Sequence, residues 1–369
     1  MEKTTPLFPF LLLLLLLLLL TDVMIGSNVT IPSTTTASPA SSALAAAYDA
    51  LQAWKLAITD DPKGILTSWV GSNVCSYRGV FCDEEGSLVT AVDLNGGNVR
   101  GSLVKELSLL EDLVILHLNS NRFSGTIPDS FVNLLSLQEL DLSNNLLSGP
   151  FPTVVLGMPN LVYLDIRYNN FSGQIPDGLY NNMKLDAILV NNNGFSGEIP
   201  RSLGNSRASM INLANNRFTG TIPSSFGIMS SQIKEILFLN NELTGCIPEG
   251  IGLFSQLKVL DVSHNSLSGH LPDSLSCLSQ IEVMNLGHNK LSGELPDMIC
   301  SIDSLLNLSV AYNYLSGLSQ ECMSSMSFDF SDNCVPGRGF QRPRPECIDV
   351  PGAGLSCLQH PVMAVPREA

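Results

Sequence analysis

The sequence is dominated by one repeat: the motif Gly-x-Ile/Leu/Phe-Pro occurs eight times, at intervals of 23 to 25 residues. Its glycines are Gly125, Gly149, Gly173, Gly197, Gly220, Gly245, Gly269 and Gly293. Degenerate copies at Gly101 and Gly317 flank the series, so the sequence predicts ten repeats. A unit of this length cannot bury its apolar side alone and has to stack on its neighbours. The period therefore predicts a solenoid with one long, continuous surface.

Within a repeat the pattern is Leu-x-x-Leu-x-Leu-x-x-Asn-x-Leu/Phe-Ser/Thr-Gly-x-Ile-Pro, as in residues 113–128. Leu116 and Leu118 alternate with period two, which predicts a short strand in each repeat, paired in parallel with its neighbours. Glycine allows a bend, and proline three residues later ends strand pairing. Four residues before the last nine glycines stands an asparagine, which we expect inside, bonded to the backbone of adjacent turns. These asparagines are Asn121, Asn145, Asn169, Asn193, Asn216, Asn241, Asn265, Asn289 and Asn313.

The first 43 residues read as a leader followed by a linker. Ten consecutive leucines end at Leu20 in an apolar run that is too short for a comfortable membrane span and is typical of a signal peptide, which we place at 1–26. A signal anchor is the alternative. Residues 27–43 are rich in Ser, Thr, Pro and Ala and predict an unstructured linker.

Both ends of the repeat array need caps, because the apolar ends of a solenoid must be covered. Leu44, Ala47, Leu51, Trp54 and Ile58 form one stripe of an amphipathic helix, and residues 44–87 therefore predict an N-terminal cap. We expect a Cys75–Cys82 disulfide there. The repeats occupy 88–318, a cysteine-rich C-terminal cap 319–358, and a loose tail 359–369.

Charge and cysteine content restrict the class of partner. Lys and Arg number 19 against 34 Asp and Glu, a net charge of −15, which argues against nucleic acid and favours a cationic partner. Nine cysteines fit an oxidising compartment, and no Cys-x2-Cys pair supports zinc. Cys277 and Cys300 lie at nearly equivalent positions of adjacent repeats and are expected to bridge, while the other pairings stay open. Sequons at Asn28, Asn170 and Asn307 predict N-glycosylation.

The exposed positions of the predicted strands supply the candidate ligand-binding residues, because side chains between the core leucines point to the opposite face. Carboxylates stacked on neighbouring strands repel each other, which suggests that they serve no structural purpose and await a cation. Apolar residues at exposed positions nearby predict an anchor pocket. The alternative is a solvated face with scattered leucines. The candidates are Asp93, His117, Glu139, Asp141, Tyr163, Asp165, Arg167, Tyr168, Leu189, Met210, Leu237 and Leu239.

An enzyme is the weaker interpretation of these residues. Asp141 and Asp165, one strand apart, suit the separation of about 5 Å between the carboxylates of a retaining glycosidase. An open, wet strip of strands, however, neither raises one pKa nor excludes water. His264 and His288 occupy equivalent positions and predict a ladder, but a metal there lacks further ligands. We therefore predict a binding protein without cofactor or metal.

The repeat resembles the plant-specific class of extracellular leucine-rich repeats, which makes the predicted fold an α/β solenoid of the plant horseshoe type. The cap from Val74 to Cys82, the segment Leu243-Thr-Gly-Cys-Ile-Pro248 and the block from Asn333-Cys334 to Glu346-Cys347 narrow this further. Together they resemble the N-terminal half of the leucine-rich repeat extensins of the plant cell wall. No Ser-Pro-Pro-Pro-Pro repeat precedes Ala369, so the chain resembles an extensin-less relative.

The resemblance implies a protein secreted to the cell wall or apoplast that binds small basic cysteine-rich peptides, the rapid alkalinisation factors. It also implies a homodimer. An inhibitor of pathogen polygalacturonases, which shares the repeat class and secretion, is the alternative function. The expected partner is thus a basic peptide, with neither nucleic acid nor a membrane span involved.

Overall fold

The structure, a computed structural model, describes residues 39–228, 232–318 and 328–348 together with the single residues 322, 350 and 357. The predicted signal peptide, the linker up to residue 38, Asn28 and the predicted tail lie outside the described residues. The described residues belong to one compact unit.

The N-terminal cap is built on helix α1 (Pro39–Ala57). Its first residue is Pro39, inside the segment expected to be a linker, since proline is well tolerated in the first turn of a helix. Leu51 and Trp54 of the predicted stripe are fully buried, and the Trp54 ring stacks on Phe123 with 5.6 Å between ring centroids. The helix thus covers the open end of the repeats. Nowhere in the described residues is a helix long and apolar enough to cross a membrane.

One long sheet runs along the array. Its strands are parallel except at the N-terminal edge, where the first two strands pair antiparallel. In sheet order they are β2 (Val80–Cys82), β3 (Val89–Asp93), β5 (Ile115–His117), β7 (Glu139–Asp141), β9 (Tyr163–Asp165), β11 (Ala187–Leu189), β13 (Met210–Asn212), β15 (Glu235–Leu237), β17 (Val259–Asp261), β19 (Val283–Asn285) and β21 (Asn307–Ser309). We call its solvent side the long-sheet face.

A second set of strands, most of which follow the asparagine of their repeat, forms two shorter sheets. The first contains β1 (Ile58–Asp60), β4 (Arg100–Ser102), β6 (Arg122–Gly125), β8 (Leu146–Gly149), β10 (Asn170–Gly173), β12 (Gly194–Glu198) and β14 (Arg217–Thr219). The other contains β16 (Thr244–Gly245), β18 (Ser266–His270), β20 (Lys290–Glu294) and β22 (Tyr314–Gly317). The eight motif glycines all have positive φ, between 72° and 99°, which confirms that they supply the bend.

Short 3₁₀ helices complete the repeats, and most begin directly after the motif proline, as at Pro128. Proline cannot donate to a sheet ladder, so the strand ends before it and the chain turns. The 3₁₀ helices are Ile65–Ser68, Val74–Ser76, Lys105–Leu109, Asp129–Asn133, Thr153–Gly157, Asp177–Asn181, Arg201–Asn205, Ser224–Ile228, Glu249–Leu253, Asp273–Cys277, Ile299–Ser301 and Arg344–Cys347.

The asparagine column lies inside and joins adjacent repeats, as predicted. Asn145 Oδ1 accepts the Phe123 N–H at 2.9 Å, and its Nδ2 donates to the carbonyls of Leu118, Leu142 and Ser143 at 2.9, 3.1 and 3.0 Å. Two of these partners belong to the preceding repeat. The other eight asparagines make the same four hydrogen bonds.

The two ends of this ladder are specialised. At the first repeat, a Cβ on Gly97 would lie 3.0 Å from Asn121 Oδ1 and 2.9 Å from Ile65 Cδ1, so an asparagine does not fit there. At the other end, Asn333 of the C-terminal cap accepts the Leu315 N–H at 3.0 Å and donates to the Val310 carbonyl at 2.9 Å. The cap therefore continues the ladder beyond the last repeat, which the repeat pattern did not predict.

Four disulfides close the caps. The predicted Cys75–Cys82 bridge is confirmed. The predicted Cys277–Cys300 bridge is wrong: Cys300 pairs with Cys322 of the C-terminal cap, and Cys277 is an exposed free thiol. Equivalent positions in adjacent repeats bring the backbones near each other but do not direct the two Sγ atoms together. The remaining bridges are Cys246–Cys357 and Cys334–Cys347.

A thiol count tests this pairing directly. N-ethylmaleimide applied to the folded, unreduced protein should add one label, on Cys277, because the other eight cysteines are oxidised. Intact-mass spectrometry measures the adduct, and Cys277→Ala should take up none. A Cys277–Cys300 bridge would instead place the label on Cys322.

Candidate functional site

The long-sheet face carries two rows of side chains, and the strand register agrees with the columns expected from the sequence spacing. The first row is Phe81, Ala91, Ile115, Glu139, Tyr163, Ala187, Met210, Glu235, Val259, Val283 and Asn307. The second row is Asp93, His117, Asp141, Asp165, Leu189, Asn212, Leu237, Asp261, Asn285 and Ser309.

Acidic and amide residues of the second row have a structural role that was not anticipated. Asp93 Oδ1 accepts the backbone N–H of Asn95 at 2.8 Å, and Asp141 Oδ1 accepts that of Ser143 at 2.9 Å. The same bond to the residue two positions later recurs at Asp165, Asn212, Asp261 and Asn285. Each is an Asx turn that satisfies an N–H where the strand ends. The expectation that these carboxylates lack a structural purpose is therefore wrong.

The N-terminal end of the face presents acidic groups to solvent. Asp93 is exposed, and Glu139 and Asp141 are half-buried. His117 Nε2 lies 3.0 Å from Glu139 Oε2. This hydrogen bond raises the pKa of His117, helped by the charges of Glu139, Asp141 and Asp93, while partial burial opposes the rise. His117 therefore holds Glu139 in place without removing the acidic character of the surface.

Asp165 departs from the prediction of an exposed carboxylate, because its side chain is 0% exposed. The Tyr163 hydroxyl donates to Asp165 Oδ2 at 3.2 Å, and Arg167 Nε lies 3.0 Å from the same oxygen. Burial raises the pKa of Asp165 to about 7, although Arg167 acts in the opposite direction. A glycosidase arrangement of Asp141 and Asp165 is thus not accessible to substrate.

The middle of the face is apolar, but only part of it reaches solvent. Met210, Leu237 and Leu239 are half-buried, whereas Leu189, predicted to be exposed, is only 4% exposed. Tyr168 lies at the lateral edge, half-exposed, in the left-handed backbone region with φ of 52°. Of the predicted apolar anchor residues on the strands, Met210, Leu237 and Leu239 are therefore the ones that reach solvent; an anchor pocket there stays a prediction.

The predicted histidine ladder is present. The ring centroids of His264 and His288 are 4.0 Å apart and those of His288 and Tyr312 4.1 Å, with nearly parallel planes. A metal ion bound by two imidazoles lies near the plane of both rings, and parallel stacked rings do not offer such a point. The described residues also contain no cluster of three or more side chains suited to a metal. The stack is a packing feature of the lateral edge.

Two predicted sequons lie on the surface. Asn307 ends one row of the face and is exposed. Asn170 is exposed in β10, beside a cavity of about 350 Å³ that is also lined by Ser172, Gly194 and Arg217. Both asparagines are accessible for glycosylation, which stays a prediction.

Family models match the chain in three regions. The leucine rich repeat N-terminal domain matches residues 45–83, which contain most of α1 and the Cys75–Cys82 bridge. Leucine rich repeat models match residues 111–171 and, as single repeats, 209–229, 256–278 and 280–302. These matches agree with the cap and the stacked strands described above.

Solved structures with the same fold include two plant proteins. The Arabidopsis receptor kinase HAESA, in complex with the peptide hormone IDA and the co-receptor SERK1, is 31% identical with a TM-score of 0.70, covering 78% of this chain and 49% of that one. A plant ice-binding protein is 26% identical with a TM-score of 0.68, covering 81% of this chain and 95% of that one.

Curated relatives identify the family. Leucine-rich repeat extensin-like protein 6 of Arabidopsis thaliana is 55% identical over 317 residues, which cover 84% of this chain and 67% of that protein. The matched segments of extensin-like proteins 4, 3 and 2 span only 23%, 11% and 12% of those proteins. The chain therefore belongs to the leucine-rich repeat extensin-like family.

Proposed function

We propose that this protein is a secreted binding protein of the plant cell wall and apoplast. On this proposal, its long-sheet face captures a basic, cysteine-rich signalling peptide of the rapid alkalinisation factor type. Membership of the extensin-like family supports the location, and four disulfides fit an oxidising compartment. Similarity to the HAESA ectodomain, solved with a peptide hormone, supports a peptide as the class of ligand.

The observation that carries the proposal is the arrangement of the long-sheet face. Asp93, Glu139 and Asp141 bring carboxylates to solvent at one end, and Met210 and Leu237 offer apolar contact surface further along. Carboxylates in a row attract and orient a cationic partner over a long range. Partly exposed apolar side chains beside them supply the contacts that resist dissociation.

The buried Asp165 changes how this face works. Arg167 and Tyr163 cover its carboxylate, so direct pairing with the ligand falls to Asp93, Glu139 and Asp141. Arg167 also places one positive charge between the acidic end and the apolar middle. A ligand therefore needs its basic residues toward the N-terminal repeats and an uncharged segment over Arg167.

Asp141→Asn tests the proposal without disturbing the fold. An asparagine keeps the Asx turn to Ser143, as Asn285 does for Gly287 in its own repeat. The affinity for a synthetic rapid alkalinisation factor peptide, measured by calorimetry, should be about tenfold lower in this variant than in the parent. The affinity of the parent should fall as the salt concentration rises. The matched control is Asp129→Asn, which makes the same charge change on an exposed 3₁₀ helix and should leave the affinity unchanged.

Three outcomes would count against the proposal: no binding of the basic peptide, equal affinities in Asp141→Asn and Asp129→Asn, or affinity that is independent of salt. The alternative function is measured in the same preparation. If the protein blocks pectin hydrolysis by a fungal polygalacturonase and ignores the peptide, it acts as an inhibitor of wall-degrading enzymes.

A further inference from the structure

A cavity beside β10 exists because one side chain is missing from a regular column of residues. The residues that directly follow the nine asparagines of the repeats are Arg122, Leu146, Asn170, Gly194, Arg217, Glu242, Ser266, Lys290 and Tyr314. Among these, only Gly194 is a glycine. Asn170, Gly194 and Arg217 lie on β10, β12 and β14, and all three line a cavity of about 350 Å³. The absent side chain of residue 194 leaves this space open.

The cavity is lined by polar side chains. Ser172 and Asn192 contribute to its wall. Arg217 is exposed, and in the part of the chain that the structure describes its guanidinium takes part in no hydrogen bond or ion pair. At the equivalent position two repeats before Gly194, by contrast, Arg122 is occupied, because its Nη2 donates to Asp60 Oδ2 at 2.6 Å. An open arginine beside a polar cavity favours an occupant that carries several hydrogen-bond acceptors.

One wall of the cavity carries a sequon. Asn170-Phe171-Ser172 has the Asn-x-Ser pattern that accepts an N-linked glycan in secreted proteins. Asn170 is exposed, and its side-chain amide makes no hydrogen bond within the described ranges. Because Asn170 lines the cavity, a sugar joined to its Nδ2 begins at the cavity wall. The sequon, the missing side chain and the open arginine therefore lie on three successive strands.

N-acetylglucosamine, the sugar that is joined to asparagine in an N-linked glycan, suits this cavity. Its hydroxyl, ring and acetamido oxygens accept hydrogen bonds, and its hydroxyl and amide groups donate them. Neighbouring strands of a sheet are about 4.8 Å apart, so the backbones of Asn170 and Arg217, two strands apart, are separated by about 10 Å. This distance leaves room for one sugar ring between the two side chains.

We propose that the cavity holds the first N-acetylglucosamine of an N-linked glycan on Asn170. In the modification, Asn170 Nδ2 forms a bond to C1 of the sugar, the bond between C1 and the diphosphate of a lipid-linked oligosaccharide breaks, and the amide loses one proton. In the folded protein the Arg217 guanidinium donates to an oxygen of this sugar, and Gly194 leaves space for the sugar ring. The glycan then leaves the protein from the shorter sheet and not from the long-sheet face.

The effect of this sugar on stability tests the proposal. The full chain is secreted from cultured human cells treated with kifunensine, so that endoglycosidase H can trim each glycan to a single N-acetylglucosamine. Glycopeptide mass spectrometry should find this sugar on Asn170. In urea denaturation, Asn170→Gln, which carries no sugar at this position, should have a midpoint lower by about 0.3 M or more, as for the loss of one hydrogen bond.

Filling the cavity should abolish this difference. Gly194→Leu introduces the residue type found at the equivalent position 146, and a Cβ at position 194 would lie 3.1 Å from the Phe171 carbonyl oxygen, so a small shift accommodates it. Asn170→Gln should then leave the midpoint of Gly194→Leu unchanged. In Arg217→Ala, which keeps the cavity but removes the donor, the difference should fall to about half. Lys290→Leu, at the equivalent position in β20, is the matched control and should keep the full difference.

The proposal is wrong if mass spectrometry finds no sugar on Asn170, or if the parent and Asn170→Gln have the same midpoint. It is also wrong if the difference persists undiminished in both Gly194→Leu and Arg217→Ala. The inference rests on secretion, which is part of the proposed function, but no peptide enters this experiment and Asn170 lies outside the long sheet. Either the seat of the glycan or the capture of a basic peptide can therefore fail while the other stands.

Discussion

Asp165→Asn is expected to stabilise the protein at neutral pH and to flatten the dependence of its stability on pH. Burial raises the pKa of Asp165 from its usual value near 3.8 to about 7, so the folded state binds a proton more tightly than the unfolded state. The wild-type protein is therefore penalised progressively as pH rises through that window. One pKa unit corresponds to about 1.4 kcal/mol, so the gain at pH 8 is at most about 4 kcal/mol and vanishes below pH 4.

The substitution preserves the local geometry. An asparagine still accepts the Arg167 backbone N–H, as Asn212 does for Ala214, and the Tyr163 hydroxyl can accept from the new amide. Urea denaturation at pH 4, 6 and 8 measures the effect. Asp297→Asn, at an exposed position, should leave the profile of the parent unchanged. A parallel loss of stability in Asp165→Asn at all three pH values would show that the carboxylate is held ionised by Arg167.

Much of the fold follows from the spacing of residues in the sequence. The regular spacing of the Gly-x-Ile/Leu/Phe-Pro motif predicts that the repeats stack on one another. The alternation of Leu116 and Leu118 determines which side chains reach the long-sheet face. The internal position of Asn145 follows from the need to pair backbone groups that a turning chain cannot pair with itself. These features depend on local or strictly periodic patterns, and for that reason they can be predicted from the sequence.

Features that depend on contacts between side chains of different repeats were not predictable in this way. Strand alternation places Asp165 on the long-sheet face, but the side chains of Tyr163 and Arg167 cover it and remove it from solvent. Leu189 is covered although its position is nominally exposed. The sequence does contain a signal for the Asx turns. Asp or Asn recurs where strands of the long sheet end, two residues before the residue whose backbone N–H it accepts, and this spacing is typical of such turns.

The pairing of the C-terminal cysteines was beyond the reach of the repeat pattern for a related reason. Cys322 lies past the last motif, where the period has ended, so no register relates it to Cys300. The role of Asn333 in the asparagine column, by contrast, could have been predicted. It follows Asn313 at a spacing close to that of the repeat and precedes a cysteine of the cap.

Asn145→Ala is expected to cause a large loss of stability without affecting the long-sheet face directly. The substitution removes four hydrogen bonds and leaves the Phe123 N–H and three carbonyls without their side-chain partner in the interior. The Ser143 carbonyl still accepts the Ser120 N–H, so it is not left unpaired. The loss of the Asn145 hydrogen bond costs about 1–3 kcal/mol at each of the other three groups, so the free energy of unfolding should fall by at least about 3 kcal/mol. Because two of the partners belong to the preceding repeat, the lost bonds weaken the contact between neighbouring repeats.

Urea denaturation followed by circular dichroism measures this loss, and Asn133→Ala on an exposed 3₁₀ helix provides the matched control, with an expected change below about 0.5 kcal/mol. Stability in a solenoid is a sum of repeat and interface terms, so weakening one central interface should also broaden the transition as the two sides of the array begin to unfold separately. If Asn145→Ala loses no more stability than Asn133→Ala, water has taken over the four hydrogen bonds, and the ladder contributes orientation but little free energy.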